Sequence, residues 1–255
     1  MDLQHPFKEG LTEWINFIYG TVENEMPKNI QQYQEFFDRI NLALTVFLPI
    51  AECLPTENSV WIYGKDKIPS HSSNIHIIME FLIQALYLEA SHLWPAANQS
   101  ARCAFEHTFW VLWQIINPIG SKTRIGGPNQ TKFKDMKEAI FGIERFSKFK
   151  GKFEFHGDGK KTITLLDKLD EVWKHLSYYV HTSNIHIELK GKRPHITHDL
   201  GENPKAEYET KANIAETFDL ILIMLILACG DKLEETEKET IKKIISNEFY
   251  KVIFE

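Results

Sequence analysis

The sequence predicts an all-α protein, a single helical bundle of about seven or eight helices carrying one or two small β-hairpin insertions. Three observations lead there. Apolar residues recur at helical spacing in one stretch after another. Strand-like alternation is confined to short segments around Lys-Gly-Lys and Gly-Asp-Gly. The 255 residues are 43% hydrophobic and 25% charged, the balance of a chain that buries an ordinary core. No repeat, low-complexity tract or compositional shift marks a linker. The expectation is therefore one domain over 1–255, with its core at about 75–230 and the helices of 7–54 packed on it.

Taken in order, residues 7–26 open with a short helix that sets Trp14, Phe17 and Ile18 on one side, and Pro27 interrupts it. From Ile30 to Leu54 the spacing of Tyr33, Phe36, Phe37, Ile40, Leu44, Phe47 and Leu48 is helical. Pro49 is expected to kink or shorten this helix and Pro55 to end it. Residues 56–71 form a connector whose Val-Trp-Ile-Tyr patch is a short strand or a packed loop. Ser72, Ser73 or Asn74 then caps a helix running to Leu93. Pro95 sits in the first turn of the next helix, which extends to Ile116.

After a Gly/Pro/Lys loop over 118–130, Phe133, Met136, Ile140, Ile143 and Phe146 mark a helix at 131–148. A hairpin or a loop follows around Gly157-Asp158-Gly159. Thr164–Val180 is helical, 184–198 has the alternation of a hairpin, and a long helix fills about 205–229 with Gly230 at its C′ position. A short amphipathic helix over 233–250 closes the chain. The pair formed by 95–116 and 207–229 is expected to be central.

Composition also bounds function. A net charge of −6 argues against wholesale coating of nucleic acid, while leaving room for a local basic site. The three cysteines lack metal-ligand spacing and read as buried, reduced thiols. The first residues lack a basic segment followed by an apolar one, so no signal peptide is expected. The apolar run Leu220–Cys229 falls short of the ~20 residues of a membrane span and reads as the core helix of a soluble, cytoplasmic protein, with no membrane partner.

The chemistry-bearing residues gather on Asn98–Asn117. Arg102 and Glu106 are four apart, about 40° around the helix, so they can pair. Phe105, Phe109, Trp110 and Trp113 surround them. The pair is a structural salt bridge, or an Arg held by Glu to meet an anion such as phosphate. His107 lies about 140° from Arg102 and does not share its face, which fits a packed or solvent-facing histidine. His181 follows Ser177, Tyr178 and Tyr179 at a helix end, where the dipole favours an imidazolium. Brought to Arg102 and Glu106, it would complete an acid/base cluster; otherwise it is a capping histidine. The loop with Lys122, Arg124, Lys132 and Lys134 touches phosphates or is merely solvated. His181, His186, His195, His198 and Asp199 have ligand chemistry but match no metal motif, so no metal or other cofactor is expected.

Two elements together, Arg-x3-Glu in ARCAFEHTFWVLW and Ser177–His181 in LSYYVHTS, look like HEPN-type helical bundles, and resemble more closely the uncharacterised bacterial helical proteins grouped near that superfamily. The resemblance covers about residues 75–230. It implies a homodimer that binds or cleaves RNA, in stress response or phage defence, with an antitoxin or defence-system partner. Many HEPN proteins are metal-independent ribonucleases with an Arg followed after four to six residues by His, a spacing that Arg102 and His107 match. Their motif usually lies on a late helix with a polar residue after the Arg, where this chain has Cys103 in mid-sequence. On this resemblance the catalytic candidates are Arg102, Glu106, His107 and His181, and the substrate-binding candidates are Asn98, Ser177, Tyr178, Lys122 and Arg124. The competing reading is a non-catalytic interaction module in which Arg102, Glu106 and His181 form a buried structural network.

Overall fold

The computed structural model describes residues 23–24, 26–54, 60–63, 66–91, 93–116, 133–151, 155–156, 162–178, 204–229, 232–245 and 247–254. Among them the protein is all-α. Helix α1 spans Gln34–Thr45, α2 Phe47–Cys53, α3 Ser70–Ala90, α4 Trp94–Ile116, α5 Phe133–Gly142 and α6 Glu144–Ser147. They are followed by α7 at Leu165–Tyr178, α8 at Pro204–Cys229, α9 at Glu235–Ile244 and α10 at Asn247–Phe254. Two short antiparallel pairings accompany them, Val60–Tyr63 with Asp66–Pro69 and Phe155–His156 with Thr162–Ile163. The turns that would join them, the expected opening helix with Trp14, Phe17 and Ile18, and the expected hairpin at 184–198 lie outside the described residues.

The core is organised around α8. From Leu220 to Cys229 every residue is buried, so this helix offers no face to solvent. A helix that is apolar all round has to be surrounded. Helix α4 packs along it, α3 and α7 flank the pair, and α1, α2 and α6 touch α8 as well. Helix α4 contributes Ala97, Ala101, Ala104, Phe105, Phe109 and Leu112 to the same core. The three alanines recur at helical spacing and let neighbouring backbones come close. By length and composition Tyr208–Cys229 would cross a bilayer, at a mean hydropathy of 1.9, so the apolar stretch is longer than Leu220–Cys229 alone. Its window is 72% buried inside the bundle.

Several helix boundaries differ from expectation for local reasons. The break near Pro49 falls at Val46, and Pro49 occupies the first turn of α2. A proline ring clashes with the carbonyl four residues back, here Thr45, so the helix has to end before the proline. The expected helix at 131–148 is divided at Ile143, whose ψ of 138° is extended. The expected helix at 233–250 is likewise divided at Ile245, with ψ 158°. Helix α3 begins at Ser70, which places Asn74 inside the helix and not at its cap. Thr164 caps α7: its hydroxyl accepts the Asp167 N–H at 3.2 Å, and Asp167 in return accepts the Thr164 N–H at 3.3 Å.

Ion pairs fasten the outer helices. Arg39 on α1 reaches both carboxylate oxygens of Asp219 at 2.7 Å. Lys168 on α7 bonds Glu216 on α8 at 2.8 Å, and Lys137 on α5 bonds Asp170 on α7. Phe109 is fully buried between Phe105 and Phe133, with ring centroids at 5.2 and 4.8 Å. Phe109→Ala is expected to cost about 3–5 kcal/mol of stability, read as a lowered urea midpoint with an unchanged slope.

Candidate functional site

Helix α4 is buried on most of its circumference and opens to solvent along one stripe. Gln99 is exposed, and Arg102, Cys103, Glu106 and His107 are half-buried. At about 100° per residue, Arg102 and His107 edge this stripe on opposite sides, with Glu106, Gln99 and Cys103 between them. Neighbouring helices draw the two edges apart.

On one edge, Arg102 donates from Nε and Nη2 to Glu106 Oε1 at 3.0 and 2.9 Å. The same oxygen accepts the indole N–H of Trp173 on α7 at 3.0 Å. The guanidinium carbon stands 5.5 Å from the Trp173 ring centroid, and Phe133 stacks on that ring at 5.1 Å with planes 3° apart. Glu106 thus orients Arg102, and Trp173 orients Glu106. The Arg102 side chain is 14% exposed, and its Nη1 is buried with no acceptor among the described residues. A buried guanidinium donor of this kind has hydrogen-bonding capacity left for an anion.

On the other edge, His107 Nε2 lies 3.1 Å from Asn74 Oδ1, and Asn74 Nδ2 donates to Gln114 Oε1 at 3.4 Å. Helix α4 is regular from Trp94 to Ile116, so no irregularity turns His107 towards Arg102. The structure does not bring the Arg102/His107 pair together within one chain.

The remaining candidates divide. Asn98 is fully buried and its amide is spent inside the bundle. It donates to Trp94 O at 2.9 Å and to Thr210 at 3.1 Å, and it accepts from Asn213 at 3.0 Å. It ties α4 to α8. Ser177 is buried, and its hydroxyl bonds back to the Trp173 carbonyl one turn earlier, so it too is occupied within α7. Tyr178 is the last residue of α7. His181, Lys122 and Arg124, and with them the proposed Arg102/Glu106/His181 cluster, lie outside the described residues. So do His186, His195, His198 and Asp199. Among the described residues, no three His, Cys, Asp or Glu side chains gather as a metal-binding set.

The sequence reading missed two features. Trp173 completes the Arg102/Glu106 arrangement from another helix. Glu89 on α3, fully buried, pairs with Lys211 on α8 at 2.5 Å, and the ammonium stands 3.7 Å from the centre of the Tyr33 ring. Beside it, Asn29 donates to the Glu89 and Ala90 carbonyls at 3.3 and 3.4 Å. A charged residue in an otherwise apolar run, as in Tyr87-Leu-Glu-Ala, was the available signal.

Comparison with known proteins finds no matching family model, no matching characterised protein and no matching solved structure.

Burial, then the neighbouring Glu106 carboxylate, push the Cys103 thiol above its ordinary range, against the pull of Arg102. The thiol therefore stays protonated at neutral pH and is a poor nucleophile. Iodoacetamide at about pH 8 is expected to label Cys103 more slowly in the folded protein than in urea. Glu106→Gln removes a carboxylate that opposes ionisation, so labelling in the folded state should quicken by several-fold on the order of a pKa unit or less. Equal rates in the two folded proteins would show that Glu106 does not act on the thiol.

Proposed function

We propose that this protein is a HEPN-like helical bundle that binds RNA through its phosphate backbone, with Arg102 as the phosphate-meeting group. The observation that carries this reading is the Arg102 guanidinium. Two of its nitrogens are fixed by Glu106, its carbon stands 5.5 Å from the centre of the Trp173 ring, and its buried Nη1 is left without an acceptor among the described residues. A phosphate oxygen supplies the missing acceptor with charge-assisted geometry. With a net charge of −6, the chain as a whole repels a polyanion, so binding has to rest on few contacts and depend only modestly on salt.

Cleavage is the further step that the resemblance implies. A histidine takes the ribose 2′-hydroxyl proton, the 2′ oxygen bonds to phosphorus, and the bond from phosphorus to the 5′ oxygen breaks. That oxygen takes a proton from water, leaving a 2′,3′-cyclic phosphate and a 5′-hydroxyl, while Arg102 offsets the charge on the phosphoryl oxygens. Arg102 and His107 of one chain diverge, so the histidine meeting a phosphate at Arg102 would be His181 or the His107 of a second copy.

A second reading is favoured by a specific observation. Glu106 Oε1 already accepts three protein donors within an aromatic frame, as a purely structural network would. Binding and stability separate the two. If Arg102 meets phosphate, Arg102→Gln weakens single-stranded RNA binding by about tenfold and lowers the magnitude of the log–log salt slope by roughly 0.7. If it is structural, the variant loses stability and leaves RNA affinity where it was. A cleavage assay on wild type, His107→Ala and His181→Ala, in the presence of a chelator, tests the catalytic step. An uncut substrate with intact binding would leave a binding module.

A further inference from the structure

We infer that Glu106 reads the ligand as well as holding Arg102: its second carboxylate oxygen accepts a hydrogen bond from the ribose 2′-hydroxyl beside the phosphate at Arg102, and so selects RNA over DNA. This contact rests on the phosphate-binding reading above and adds the group that tells one nucleic acid from the other. The two oxygens of Glu106 are used unequally. Oε1 accepts three donors, Arg102 Nε at 3.0 Å, Arg102 Nη2 at 2.9 Å and Trp173 Nε1 at 3.0 Å. Oε2 meets no donor among the described residues, on a side chain that is 34% exposed. A carboxylate has about four acceptor sites over its two oxygens, so the capacity left for a ligand lies on Oε2.

The chemistry of that oxygen limits the ligand. It can only accept, so a bare anion gains nothing from it and is repelled. Oε2 shares its carbon with an oxygen bonded to the guanidinium, so the ligand has to carry a donor close to its anionic group. A ribonucleotide does this, because its 2′-hydroxyl stands on the carbon next to the one that bears the 3′ phosphate. An amino group on a base lies farther from that phosphate, across the glycosidic bond. A guanine edge presents two N–H groups side by side and calls for both carboxylate oxygens, of which Oε1 is taken. In DNA the 2′ position has no donor, and the phosphate and the Glu106 carboxylate face each other unbridged. RNA is thus favoured twice, by a charge-assisted bond gained and by a repulsion that DNA leaves uncompensated.

Fluorescence anisotropy on the full chain, at one fixed salt concentration, compares single strands of one sequence as RNA, 2′-fluoro RNA, 2′-amino RNA and DNA. Fluorine is close to a hydroxyl in size and keeps an RNA-like sugar shape but donates nothing, while the amino group restores a donor. Wild type is expected to bind RNA and 2′-amino RNA about tenfold more tightly than 2′-fluoro RNA, the worth of one hydrogen bond to a charged group. In Glu106→Gln the amide oxygen has to face the three donors of Arg102 and Trp173, so its NH2 takes the place of Oε2. The variant keeps the network and loses the outward acceptor. Its preference for RNA over 2′-fluoro RNA should fall towards one, and its affinity for DNA should rise because a negative charge beside the phosphate is gone.

Equal wild-type binding of RNA and 2′-fluoro RNA overturns the 2′-hydroxyl contact while leaving the phosphate reading in place. So does 2′-amino RNA that binds no better than the 2′-fluoro strand, and neither result depends on the variant. A wild-type preference that Glu106→Gln retains in full assigns the contact to another residue and overturns the role of Glu106. Affinity for none of the four strands removes the phosphate reading and the selective contact with it.

Discussion

The structure depends on one constraint, a helix with no polar side over its last ten residues. Leu220 to Cys229 are buried in every direction, so the remaining helices have to form a sleeve and cannot settle as a second layer on one side. Hydrophobic burial has no preferred direction, and such a helix accepts neighbours at any angle. The register of those neighbours is set by the polar residues one to three turns earlier. There Thr210 and Asn213 meet Asn98 on α4, Lys211 meets Glu89 on α3, and Glu216 meets Lys168 on α7. The apolar end of α8 supplies the driving force, and its polar beginning supplies the alignment.

Helix α4 divides along its circumference. The sides against α3, α8 and the aromatic residues of α5 are closed by packing, and a narrow stripe is left. On that stripe Gln99 is exposed, whereas Glu106 and His107 have partners on other helices. Glu106 is held by an indole from α7, and His107 lies against an amide from α3. Side chains on a rigid helix, held by a second layer of hydrogen bonds, lose little entropy when a ligand arrives. A bare surface salt bridge has no such support.

Much of this was legible in the chain, because helical periodicity and i,i+4 spacing are local. The helix positions followed from apolar spacing, and the Arg102–Glu106 pair followed from its separation. What escaped the sequence depends on distant neighbours. Trp173 is 67 residues from Glu106 and reads alone as one more aromatic on an amphipathic face. Asn74 reads as a cap because small polar residues near a helix start usually are, yet α3 begins earlier and brings the amide beside α4. Asn98, a substrate-binding candidate in sequence, has its amide bonded to Trp94, Thr210 and Asn213, two of them more than a hundred residues away. The divisions at Ile143 and Ile245 have no proline to announce them; each lies within a continuous apolar pattern and shows only as an extended ψ.

The Glu89–Lys211 pair has a consequence for how this sequence can change over time. Loss of either charge alone breaks a buried pair, which costs about 3–5 kcal/mol and exceeds what most single substitutions impose. An apolar replacement of both, matched in volume, is close to neutral by the same reasoning. The two positions are 122 residues apart in the chain, yet they are bound to drift together or not at all. Tyr33, which lies under the ammonium, is drawn into the same restriction. Sequences descended from a common ancestor with this chain should therefore carry the pair intact or lack it entirely, with few intermediates surviving between the two states.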